Sequence, residues 1–75
     1  MTLDEFVQAF AEGFDETPAE FFAAGTEYKT LEEWGSFTAL SAIALAMEQF
    51  GKKITGDDLR NCNTIEELYN LILSK

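Results

Sequence analysis

An all-α fold is predicted for this 75-residue chain, on three observations. Apolar residues recur at helical spacing in three separate segments. Thr2 with Glu5, and Thr64 with Glu67, form the Thr-x-x-Glu pattern that opens helices, because each partner satisfies a main-chain N–H of the other's turn. No segment sustains the period-two alternation of a half-buried strand.

The first helix is expected over Leu3 to Gly13, with Phe6, Ala9 and Phe10 on its apolar side. From Phe14 to Gly35 the chain is punctuated by Asp15, Thr17-Pro18 and Gly25, yet it carries Phe21, Phe22, Tyr28, Leu31 and Trp34. A connection this apolar should lie on the core, with single turns at Pro18–Phe22 and Thr30–Trp34. The second helix runs from Ser36 to Phe50 and stops at Gly51, a favoured left-handed terminator. Lys52 and Lys53 follow, where positive charge suits the helix dipole. A short third helix, about Asp57 to Asn61, takes Thr55 or Gly56 as its cap, and a fourth opens at Thr64 with Ile65, Leu68, Tyr69, Leu71 and Ile72. The expectation is one domain, residues 1–75: a four-helix bundle of three main helices, a short third one and a long ordered first loop.

Composition narrows the function. A chain this short buries only about 60% of its unfolded surface, so the core must be compact, and 47% apolar residues with ten aromatics suffice for one. Fourteen acidic against five basic residues give a net charge of −9. Nucleic acid is disfavoured, since binding it requires cations that displace its counterions, and an anionic membrane surface is disfavoured likewise. Basic partner patches are favoured. No apolar run reaches the ~20 residues of a membrane span, and Met1-Thr2-Leu3-Asp4-Glu5 is acidic with no long apolar stretch after it. A cytoplasmic monomer without membrane insertion is expected. One cysteine, Cys62, and no histidine leave no internal disulfide and no cysteine-based metal site. No nucleophile–base pair is visible, so the domain is expected not to be an enzyme.

Ser36, at the mouth of the second helix, is the residue of most interest. Serine is a common helix cap and that explanation is sufficient by itself. The surrounding pattern adds another. Leu31-Glu32-Glu33-Trp34 precedes Gly35-Ser36-Phe37; Glu48-Gln49-Phe50-Gly51 closes the helix; Ile54, Asp57-Asp58-Leu59 and Thr64-Ile65-Glu66-Glu67-Leu68 follow. In order, spacing and length these resemble the acyl carrier protein family over nearly the whole chain. That family opens its second helix with Asp-Ser-Leu, and its serine carries 4′-phosphopantetheine.

The resemblance implies that Ser36 is the phosphopantetheine attachment site, filled from coenzyme A by a phosphopantetheinyl transferase. The arm's thiol would then carry acyl groups as thioesters to acyl-transferring or condensing enzymes of fatty acid, polyketide or related lipid biosynthesis. This chain departs from the pattern in having Gly35 for the acidic residue and Phe37 for leucine. An aminoacyl or peptidyl cargo fits the same residues. An unmodified acidic helical adaptor, binding a basic partner through the second helix, is the alternative of a different class.

Two apolar rows run along the second helix: Phe37, Leu40, Ala44 and Met47, and Ala39, Ala42, Ile43, Ala46 and Phe50. Periodicity does not say which faces the core. The resemblance puts the first outward, making Phe37, Leu40, Ala44 and Met47, with Glu48 (the helix's one acidic residue), candidates for partner contact. It also implies space for an acyl chain lined by Ala39, Ile43, Ala46, Ile54, Leu59 and Cys62, against which a fully packed core is the plain reading. Because the inward row is mostly alanine, Phe21, Phe22, Tyr28, Trp34 and Tyr69 are expected to fill the middle. Cys62 is expected as a buried, inert thiol. The acidic doublets Asp15-Glu16, Glu32-Glu33, Asp57-Asp58 and Glu66-Glu67 read as solvated charge.

Overall fold

The computed structural model describes residues Met1–Lys75 and contains helices only. In chain order these are α1 (Leu3–Ala11), single 3-10 turns at Ala19–Phe21 and Tyr28–Thr30, α2 (Ser36–Phe50), α3 (Gly56–Asn61) and α4 (Ile65–Ser74). The four-helix, all-α expectation is met. None of the helices is long and apolar enough to cross a membrane.

Local chemistry explains most boundaries. Thr2, Thr55 and Thr64 each accept the main-chain N–H three residues on, while the Glu5, Asp58 and Glu67 carboxylates accept the N–H of the capping threonine. Thr55, rather than Gly56, is therefore the cap of α3. At the end of α2, Gly51 adopts φ 64, a left-handed conformation costly for residues with a Cβ. There its N–H reaches the Met47 carbonyl at 3.0 Å, and the Lys52 N–H reaches Ala46 O at 3.3 Å. The Lys52 ammonium turns away and donates to the Lys75 carbonyl, not to the end of α2.

α1 ends two residues earlier than its pattern predicts. The N–H groups of Gly13 and Phe14 bond three residues back, to Phe10 and Ala11, tightening the chain so that Phe14 turns into the core at 6% exposure. A Cβ on Gly13 would meet that of Ser41 at 3.0 Å, so glycine is what lets α1 end close against α2. The turn expected at Thr30–Trp34 is present, and one that the pattern did not mark precedes it. A 3-10 turn occupies Tyr28–Thr30, and a further turn is closed by the Trp34 N–H on Leu31 O at 3.0 Å.

α4 packs on α1, α2 and α3, and α1 packs also on α2. Because α2 supplies mainly Ala42 and Ala46 to the interior, aromatic rings fill the centre. Phe6 of α1 lies 5.8 Å from Phe50 and 5.5 Å from Tyr69 between ring centroids. Phe10 meets Phe14, Tyr28 and Trp34. α1 thus adds Phe6 and Phe10 to the rings that the loop brings, Phe14, Phe22, Tyr28 and Trp34. Phe21 is a correction: it is 58% exposed and fills nothing. Side chains on a 3-10 turn point about 120° apart, so when Phe22 turns inward its neighbour Phe21 turns out.

The first loop is bonded into the bundle along its length. Its Ala24 and Thr26 carbonyls accept the N–H groups of Glu66 and Ile65 at the start of α4. The Tyr28 hydroxyl, wholly buried, reaches the Leu59 carbonyl at 2.6 Å and the Cys62 carbonyl at 3.1 Å, tying loop to α3. Lys29 Nζ donates to Arg60 O at 2.6 Å beside them.

Candidate functional site

Two anchors position the approach to α2. Trp34 sits edge-on to Tyr28 with centroids 4.8 Å apart and stacks near Phe10 and Phe14. Glu33, immediately before it, reaches back to the start of the first loop. Its carboxylate accepts the N–H groups of Asp15, Glu16 and Thr17 and, at 2.7 Å, the Thr17 hydroxyl. The Thr17 hydroxyl chiefly, and those main-chain donors with it, hold the Glu33 carboxyl below the usual glutamate range. Of the doublet read as solvated charge, Glu32 is exposed and Glu33 is a structural clamp.

Beyond Trp34 the helix opens. Gly35 occupies the cap position in extended backbone, φ −170, and its carbonyl accepts the first intrahelical N–H, from Ala39, at 2.9 Å. Thr38, 5% exposed, folds its hydroxyl back to accept the Gly35 N–H at 2.8 Å. Ser36 is the first residue of the helix and not its cap. The ordinary structural use of a serine at a helix start belongs here to its neighbours. Ser36 is exposed, and no hydrogen bond within the protein engages its hydroxyl. The main-chain N–H groups of Ser36, Phe37 and Thr38 also find no acceptor in the protein. With the positive end of the helix dipole, they make the space around the Ser36 hydroxyl favourable to an anion.

The outer row continues from this point. Phe37 is 87%, Leu40 64% and Met47 50% exposed, with Ala44 exposed between them. By helical rise they form a strip about 15 Å long leading away from Ser36. No charged residue stands between Ser36 and Glu48, itself exposed at the far end. The ambiguity left by periodicity is settled: this row faces solvent, while Ala42 and Ala46 face the core and Ala39, Ile43 and Phe50 lie against it.

Ala46, Ile54, Leu59 and Cys62 come together in the buried core, with Ala39 and Ile43 at its edge. They are packed: none of the three depressions in the molecule is lined by any of these six residues. The Cys62 thiol is buried, and burial first, then the nearby Glu67 and Asp58 charges, raise its pKa. It is a packed hydrophobe with little thiolate character.

Sequence reasoning missed Glu33 and Thr38. Thr38 had a local signal, a hydroxyl at the third helical position able to reach back. Glu33 had none, because its partners lie sixteen to eighteen residues away. Comparison with family models, with curated proteins and with solved structures finds no match.

Proposed function

We propose that this protein is an acyl carrier, holding acyl intermediates as thioesters on a 4′-phosphopantetheine arm attached to Ser36. The observation that carries the reading is the free, exposed Ser36 hydroxyl at the first position of α2. It lies within motifs whose order and spacing resemble those of acyl carrier proteins. A serine buried or engaged in capping would be a poor acceptor.

In the modification, Ser36 Oγ attacks the coenzyme A phosphorus that bears the pantetheine arm, within a phosphopantetheinyl transferase that takes the hydroxyl proton. The Oγ–P bond forms, the pyrophosphate P–O bond breaks, and adenosine 3′,5′-bisphosphate leaves. The unpaired N–H groups of Ser36, Phe37 and Thr38 are positioned to stabilise the phosphodiester charge. The arm supplies the thiol on which cargo rides. The domain contributes tethering, which raises the effective concentration of cargo at enzymes that bind the carrier. Phe37, Leu40, Ala44 and Met47, with Glu48 at the edge, form the surface those acyl-transferring or condensing enzymes touch. The packed arrangement of Ile54, Leu59 and Cys62 favours a cargo presented outside the bundle. The carrier acts as a cytoplasmic monomer.

The test is intact mass after incubation with coenzyme A and several phosphopantetheinyl transferases. One added phosphopantetheine, absent from Ser36→Ala, is expected. A folded protein that no transferase modifies overturns the carrier reading and leaves the adaptor, binding partners through the same outer row of α2.

A further inference from the structure

A surface separate from Ser36 has its own chemistry. α1 and the first loop flank a trough of roughly 950 Å³. Its floor is apolar: Val7, Phe14 and Phe22 reach its base while remaining less than a tenth exposed. Small side chains, Ala11, Ala19 and Ala23, form its walls. Asp4, Glu12 and Glu20 stand exposed around it. α1 and the turn that ends it present their other side, Ala9, Phe10 and Gly13, to α2, so the trough lies across α1 from the second helix.

Asp4, Glu12 and Glu20 form no ion pair within the molecule. No lysine or arginine precedes Lys29 in the chain. Beyond that point, Lys29 is bonded to the Arg60 carbonyl and Lys52 to the Lys75 carbonyl. Arg60 pairs with Asp57, and Lys75 with Asp58. Lys53 lies past the end of α2 and lines no part of the trough.

We propose that this trough is a second docking surface, whose occupant is a basic amphipathic helix of a partner protein. The floor takes the apolar face of such a helix, and the alanine walls allow its backbone to come close. Lysines or arginines flanking the apolar face meet Asp4, Glu12 and Glu20, which orient the helix and speed encounter. A neutral or acidic helix satisfies only the floor and leaves the rim charges facing an apolar or like-charged surface. The proposal does not rest on modification of Ser36, and the two surfaces can be engaged together.

The experiment is titration of isotopically labelled protein with a synthetic Leu/Lys amphipathic helical peptide, followed by amide chemical shifts. It is run on both wild type and Ser36→Ala. Shifts centred on Val7, Gln8, Ala11, Ala23 and Ala24 are expected, equally in both proteins. Glu12→Lys with Glu20→Lys should weaken binding about tenfold, in the range of charge-pair effects at interfaces. Glu27→Lys with Glu32→Lys alters net charge identically outside the trough and should change it little. If the lysine pair at the trough does not fold, Glu12→Gln with Glu20→Gln serves in its place, with a smaller loss in the same direction. Equal weakening by the trough and control pairs would overturn the proposal, as binding would then follow net charge alone. Shifts centred on Phe37, Leu40 and Met47, or undiminished binding of a peptide with its leucines changed to serine, would overturn it as well.

Discussion

Glu33 and Thr17, sixteen residues apart, meet through two contacts: the Thr17 N–H and hydroxyl both donate to Oε1 of Glu33, at 2.9 and 2.7 Å. This pairing joins the start of the first loop to its end, the segment that delivers Ser36. It also has a defined pH dependence. The folded Glu33 pKa is depressed, so the clamp contributes in full above the unfolded value and is lost as pH falls through the lower folded value. Glu33→Gln should lower Tm at neutral pH and quicken amide exchange at Asp15–Thr17. The difference in Tm between variant and wild type should shrink as the buffer is taken below the ordinary glutamate range. A constant difference across that range would show that Glu33 does not act through its charge.

Tyr28→Phe removes a hydroxyl from a site with no solvent access and leaves the Leu59 and Cys62 carbonyls without that donor. Losing a buried hydrogen bond whose partner stays behind costs about 1–3 kcal/mol. Denaturant unfolding should show that loss with an unchanged m-value, and α3 should exchange its amides sooner than α2.

The two faces of the bundle predict opposite outcomes for similar substitutions. Phe6 is fully buried against Phe50 and Tyr69, so Phe6→Ala should cost about 3–5 kcal/mol, enough to unfold much of a domain this small. Leu40 is 64% exposed, and Leu40→Asp should change stability by only about 0.5 kcal/mol. On the carrier reading Leu40→Asp and Met47→Glu are loaded normally by the transferase at saturating enzyme but transfer cargo poorly to partners. Normal transfer by both variants would remove the outer row from the docking surface.

Gly35 is open to substitution: its φ of −170 suits any residue, and a Cβ there has no atom within 4 Å. Gly35→Asp places a capping carboxylate at the start of α2, where glycine is only modestly poorer than aspartate, so a gain of a few tenths of a kcal/mol is expected. It also supplies the acidic residue found before the serine in the acyl carrier proteins that this sequence resembles. On the carrier reading, modification of Ser36 by a general transferase should be faster in Gly35→Asp than in wild type, measured as initial rates by mass.

A net charge of −9 on 75 residues makes self-repulsion a sizeable opposing effect. Tm should rise between low and moderate ionic strength as screening shortens to about 10 Å. No rise would mean that the carboxylates are already compensated locally.

The helices and their starts were legible in the chain because their causes are local. Thr2, Thr64 and Gly51 act on residues within four positions, and helical periodicity marked both rows of α2. The exposure of Ser36 could be anticipated only through resemblance, since the cap could equally have been the serine; the reach-back of Thr38 to Gly35 decided it. Which row of α2 met solvent depended on the rings of Phe6, Phe10 and Phe14 filling the space that alanines leave. The Glu33 clamp, the outward turn of Phe21 and the acid-rimmed trough beside α1 are products of contacts between distant segments. Sequence by itself determined where the chain coils, through interactions within one or two turns. Tertiary structure alone decided which side chains are free, because burial depends on what the rest of the chain brings to each surface.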